Sequence, residues 1–77
     1  MSQMTEGEKK MAAIWAAALG QRIADPEADF LSLGGSSLLA AQVAVEASAK
    51  FGKHVNLVDV LLSTSLRELV STIQHET

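Results

Sequence analysis

Seventy-seven residues with a formal charge of −3 make one small domain, near the size at which a single core is only just sufficient. Hydrophobic residues at 48% against 19% charged argue against disorder, and the acidic balance, with only Lys9 and Lys10 clustered, argues against a nucleic-acid binder, which holds phosphates through grouped Lys and Arg. The absence of cysteine removes any disulfide framework, thiolate nucleophile or Cys-based metal site and fits a reducing compartment.

In chain order, Met1 to Met4 read as a frayed terminus. Met1 to Lys10 are polar and charged rather than apolar, and no apolar run is long enough to span a bilayer. The expectation is therefore a soluble, cytoplasmic chain without a signal peptide. Thr5-Glu6-Gly7-Glu8 has capping-box spacing and predicts a helix start. Met11, Ile14, Trp15, Ala18 and Leu19 follow at the spacing of one helical stripe, and Gly20 supplies a stop. Trp15, on that stripe, is expected in the core.

Gln21 to Ser36 shows neither helical nor strand periodicity. Asp25-Pro26 is a turn signal, and Phe30, Leu31 and Leu33 are large enough to pin such a loop against the core. A second helix is predicted from about Ser37 to Phe51, stopped by Gly52. At about 100° per residue it has two apolar faces: Ala40, Val43, Ala44, Ala47 and Phe51 on one side, and Leu38, Ala41, Val45 and Ala49 with Gln42 opposite. A domain with one core buries one face, so the other is either an exposed patch or covered by a loop or short helix. Lys53 to Asn56 reads as a connector. Leu57 to Leu62 fits a short helix capped by Asn56 or a buried strand. Ser65-Leu66-Arg67-Glu68 repeats the capping-box spacing, and Leu66, Leu69, Val70 and Ile73 form the stripe of a last helix that frays near His75. His54 and His75 lack ligand partners at useful spacing and are expected at the surface. The sum is an all-α fold: a small antiparallel four-helix bundle, three main helices and one short one, with a long loop between the first two. It occupies residues 1–77 as a single domain with its core at about 5–74.

The stretch Leu33-Gly34-Gly35-Ser36-Ser37-Leu38 is the candidate functional segment. Two glycines permit positive φ and leave room for another molecule to approach. The helix start behind them offers unpaired N–H groups and the positive end of the macrodipole, which suit a phosphate. The bland alternative is a turn followed by a serine that only caps the helix. A hydrolase elbow is excluded because Leu38 stands where Gly-x-Ser-x-Gly needs its second glycine, with no strand pattern upstream. A P-loop is excluded because no Gly-Lys-Ser/Thr follows.

The chain resembles the phosphopantetheine-binding carrier proteins, and within them the peptidyl, or thiolation, carriers of nonribosomal peptide and antibiotic biosynthesis. The resemblance runs in register from about Thr5 to Gln74. It is carried by Trp15, by Asp29-Phe30-Leu31-Ser32-Leu33-Gly34-Gly35, by Ser37-Leu38-Leu39, by Phe51-Gly52 and by Ser65-Leu66-Arg67-Glu68-Leu69. It implies that Ser37 receives a covalent 4′-phosphopantetheine arm from coenzyme A, through a phosphodiester made by a separate phosphopantetheinyl transferase. The arm would carry an aminoacyl or peptidyl thioester, and the chain itself would have no catalytic residue and no metal. Ser36 stands where such carriers often have His or Asp, so it is the decoy. By the same matching, partners dock on Leu38, Ala41, Gln42 and Val45, and on Val60 and Leu61 of the third helix. Those partners would be the transferase, an adenylation enzyme, and condensation, tailoring or thioesterase enzymes, with no membrane or nucleic acid and the carrier a monomer.

The second helix holds Glu46 and Lys50 but no acidic run, unlike fatty-acid acyl carriers, and the Leu-Gly-Gly spelling also favours a peptidyl carrier. The prolines usual near the positions of Asn56 and Thr64 are missing, which puts the shape of the third helix and its entry in question. A start at Met1 without a Pro- or Ser-rich linker at either end fits a free-standing carrier, and an excised module with an added start codon would read the same. Two alternatives stand beside the peptidyl carrier: an acyl carrier for polyketide, fatty acyl or D-alanyl groups, and an unmodified helical interaction module that keeps Ser37 as a cap.

Overall fold

Thr5 and Glu8 begin the structure as their spacing requires. In the computed structural model, which describes residues 4–75, the Glu8 N–H donates to Thr5 Oγ1 at 3.1 Å and the Thr5 N–H to Glu8 Oε1 at 3.0 Å. This reciprocal pair satisfies donors that a helix start otherwise leaves bare. From it run α1 (Glu6–Leu19), α2 (Ser37–Phe51), α3 (Leu57–Leu62) and α4 (Leu66–His75), so the expected all-α bundle is observed. Of the terminus expected to fray, residues 1–3 lie outside the described residues, and Met4 packs half-buried against the core. Among the described residues no helix is long and apolar enough to cross a membrane, and no cluster of His, Asp and Glu could hold a metal ion.

The core gathers Met11, Ile14 and Trp15 of α1, Ala40, Val43 and Ala47 of α2, Val60 of α3 and Leu66, Leu69, Val70 and Ile73 of α4. α1 packs against both α2 and α4, and α3 packs against α2. The short apolar run at Leu57 is a helix because the Asn56 side chain accepts the Val58 N–H at 2.9 Å, an N-cap that a strand would not use. α4 departs from its expected box. Ser65 Oγ does accept the Glu68 N–H at 3.0 Å, but the Glu68 carboxylate reaches back to the N–H and hydroxyl of Thr64, at 2.9 and 2.8 Å, and not to Ser65. Asn56 and Thr64, where the resemblance leads to an expectation of prolines, thus each serve a helix entry.

The loop from Gly20 to Ser36 is fastened at both ends of its length. Phe30 is fully buried, its ring edge-on to Trp15 with centroids 5.1 Å apart. Ile23 is buried as well and Leu33 partly so, whereas Leu31, expected among the pinning residues, is 52% exposed. Phe30 begins a tight turn through Gly34 that draws its side chain inward and leaves its neighbour Leu31 facing solvent. Upstream, the Arg67 and Leu66 N–H groups of α4 donate to the Pro26 and Ala28 carbonyls, each at 2.9 Å. The Arg67 guanidinium bridges Glu8 Oε2 at 3.1 Å and Glu27 Oε2 at 2.7 Å.

Two outcomes follow for stability. Phe30→Ala should cost about 3–5 kcal/mol in urea denaturation, as aromatic truncations in a packed core do, against a change within about 0.5 kcal/mol for Leu31→Ala at the surface. For acid, the Thr5 N–H and then the Arg67 guanidinium hold the Glu8 carboxyl below the ordinary carboxylate range despite its burial. A carboxyl with a depressed folded pKa contributes stability that is complete above its unfolded pKa and is lost as pH falls through the folded one. Glu8→Gln should therefore melt lower than wild type at neutral pH, and the gap should close as the pH is lowered through and below about 4.

Candidate functional site

The two glycines and two serines have four different roles. Gly34 has φ 95°, and a Cβ there would meet nothing within 4 Å, so it needs glycine for its backbone and leaves its flank open. Gly35 has no positive φ, and a Cβ there would strike the Phe30 ring and carbonyl. The expectation that both glycines clear an approach therefore holds for Gly34 only; Gly35 is small because Phe30 fills the space beneath it. Its N–H closes the turn by donating to the Phe30 carbonyl at 3.0 Å. Asp29 supports the same turn, accepting the Ser32 hydroxyl at 2.8 Å and the Ser32 N–H at 3.2 Å. Gln21 holds it from the far side, its amide donating to the Leu33 carbonyl at 2.6 Å.

Ser36 is the N-cap of α2: its backbone is extended and its hydroxyl accepts the Leu39 N–H at 3.3 Å. Ser37 is the first helical residue, exposed, and its hydroxyl has no hydrogen-bond partner among the described residues. The Ala40 N–H is taken by the Ser36 carbonyl, which leaves the N–H groups of Ser37 and Leu38 as open donors of the first turn. No acidic side chain lies in that turn. A free hydroxyl beside two unpaired donors at the positive end of a helix can bear a phosphodiester without losing any bond the fold uses.

The residues matched to a partner surface divide. Leu38 and Val45 are 70% and 71% exposed, Gln42 is exposed and Ala41 half-buried, so the second apolar face of α2 is uncovered. Val60 is fully buried and Leu61 packs half-buried on the core. The outward residues of α3 are instead Leu57, Val58 and Leu62, at 36%, 50% and 67% exposure. In Leu57–Leu62 every residue but Asp59 is apolar, so the pattern of so short a helix does not distinguish its inner side; only the packing against α2 does. A groove of about 450 Å³ between α1 and α2, lined by residues that include Ala13, Ala17, Val43 and Gln42, includes none of the Leu33–Leu38 segment. The candidate site is open surface.

Comparisons with known proteins meet this geometry. The family described as phosphopantetheine attachment site matches residues 9–73. Indigoidine synthase of Streptomyces lavendulae is 36% identical over 72 residues, covering 94% of this chain and 6% of that protein. Enterobactin synthase component F of Shigella flexneri is 36% identical over 69 residues, covering 90% of this chain and 5% of that protein. The chain thus spans only a small fraction of the length of these relatives. Among solved structures, BlmI, a type-II acyl-carrier-protein from Streptomyces verticillus involved in bleomycin biosynthesis, superposes with a TM-score of 0.78 at 26% identity, covering 86% of this chain and 80% of that one.

The division of roles between the serines is measurable in the bare protein. Ser36→Ala should lose about 0.5–2 kcal/mol of stability as a deleted N-cap, while Ser37→Ala should stay within about 0.5 kcal/mol of wild type, both read by urea denaturation followed by circular dichroism.

Proposed function

Because the chain belongs to the phosphopantetheine attachment-site family and is a carrier domain, we propose that Ser37 is its point of attachment and that it holds an aminoacyl or peptidyl group for nonribosomal peptide synthesis. A domain of this family carries a covalently attached 4′-phosphopantetheine. That group supplies a terminal thiol on which cargo rides as a thioester. The observation that carries the assignment to Ser37 is the contrast at the helix start: the Ser36 hydroxyl is engaged with the Leu39 N–H, while that of Ser37 is exposed and unengaged. The open donors of Ser37 and Leu38 would hold the phosphate, and Gly34 leaves the approach clear.

The chain's own work is that of a non-catalytic shuttle in the cytoplasm. Its partners would be a phosphopantetheinyl transferase, an adenylation enzyme that loads the amino acid, and synthetase enzymes that take the cargo on. The docking face would comprise Leu38, Ala41, Gln42 and Val45 with Leu57, Val58 and Leu62 of α3, the buried Val60 serving only to seat that helix. Apolar contact would dominate there, since α2 has no acidic residue in its first turn. This neutrality, with similar proteins that include one named as a nonribosomal peptide synthetase, favours a peptidyl cargo over a fatty acyl one.

Intact-protein mass after incubation with coenzyme A and a broad-specificity phosphopantetheinyl transferase tests the assignment. Wild type and Ser36→Ala should each gain one phosphopantetheine, and Ser37→Ala none. Modification of Ser37→Ala, or no gain by a folded wild type, would sink it, the latter bringing forward an unmodified interaction module.

A further inference from the structure

Nothing in the attachment chemistry at Ser37 uses Arg67, yet its side chain ties together three separate parts of the fold. Its Nε donates to Glu8 of α1 and its Nη1 to Glu27 of the loop, while its own N–H donates to the carbonyl of Pro26, the residue just before Glu27. Two consecutive loop residues are therefore held by one α4 residue, through main chain and side chain together.

Glu8 is what makes the second hold effective. An isolated surface ion pair contributes little, because two long side chains must be ordered to form it. Here the Glu8 side chain is 7% exposed and is itself tied to the Thr5 N–H, so it has already fixed the guanidinium. A planar fork held along one edge keeps its remaining donors aimed. Glu27, although 63% exposed, meets a partner set in place beforehand. Three residues further on, Phe30 enters the core, and its carbonyl takes the Gly35 N–H immediately before Ser36 and Ser37.

We infer that Arg67 is a positioning residue for modification of Ser37: by spanning Glu8 and Glu27 it restrains local opening of residues 26–35 and so keeps the Ser37 hydroxyl where a transferase can meet it. The inference rests on Ser37 being the attachment point. Local opening of a loop costs less than global unfolding, and a partner that engages only the closed arrangement loses apparent affinity in proportion to the closed fraction.

Arg67→Lys and Glu27→Gln separate positioning from simple stability. A lysine can still pair with Glu8, but its single ammonium does not reproduce the fork that spans both carboxylates; Glu27→Gln leaves the Glu8–Arg67 pair intact. Both variants should melt within a few degrees of wild type. Amide exchange at Leu33 and Gly35, whose N–H groups bond the Phe30 carbonyl, should quicken about three- to tenfold, while the buried positions of α1 and α2 keep their protection. In the transferase reaction the KM for the carrier should rise about two- to fivefold with kcat unchanged. Wild-type exchange and KM in both variants, or a KM that only follows the melting temperature through a third variant, Arg67→Met, would overturn the role of Arg67 while leaving Ser37 in place. A wild type that gains no arm removes the premise and the proposal with it, and is told apart because no variant comparison is then needed.

Discussion

Hydrogen bonds between the α1–α2 loop and the first turn of α4 are the constraint on which the rest of this structure depends. A long segment without helix or strand cannot satisfy its own backbone, and a helix start has donors it cannot use internally. Each deficit answers the other here, with the Leu66 and Arg67 N–H groups donating to Ala28 and Pro26. With that seam closed, Phe30 can sit edge-on to Trp15 in the core without straining the chain on either side. Gly35 then passes directly over its ring. The start of α2 is thus tied to α1 and α4 through this loop, in addition to the packing of α2 itself on α1 and α3.

The helices were legible because their signals are local. Thr5 and Glu8, Asn56, and the glycines after α1 and α2 each state where a helix begins or ends, and the inner stripe of α2 could be counted from Ala40 to Ala47. What could not be read was anything requiring a choice between neighbours. Phe30 and Leu31 are both large and apolar, and only the turn they share sends one inward and the other to solvent. Val60 and Leu62 are equally apolar, so the buried side of α3 was settled by α2 and not by pattern. Ile23 carries no periodic signal, standing with Ala24 alone between polar residues. Glu68 was read as the partner of Ser65, but its carboxylate found two donors on Thr64 instead.

The candidate segment stands out in the sequence by its composition, and the separate roles of its residues do not. Local chemistry left Ser36 and Ser37 interchangeable, since either could cap. The cap geometry separates them: Ser36, extended, aims its hydroxyl at the Leu39 N–H, and Ser37, already helical, is carried round to face solvent. The glycine pair misled in a useful way. Composition suggests clearance for a visitor at both, but Gly35 is small for the sake of Phe30, so one of the two glycines serves the core beneath it.

That arrangement bears on how a carrier domain can change state without changing shape. The residue proposed to take the arm contributes no side-chain hydrogen bond to the fold, while Ser36, Gly35 and Phe30 next to it are each committed to a cap, a turn or the core. Adding an anionic group at Ser37 would meet open donors and a helix dipole of favourable sign, with no acidic side chain in the first turn to oppose it. Attachment at Ser37 would then cost the fold none of its own side-chain hydrogen bonds. The same body would be offered to one enzyme before the arm is attached and to others afterwards, with Leu38 and Val45 exposed on it. The difference those enzymes detect would lie in the arm and its cargo and not in the scaffold, which is what a small domain with a single core can supply.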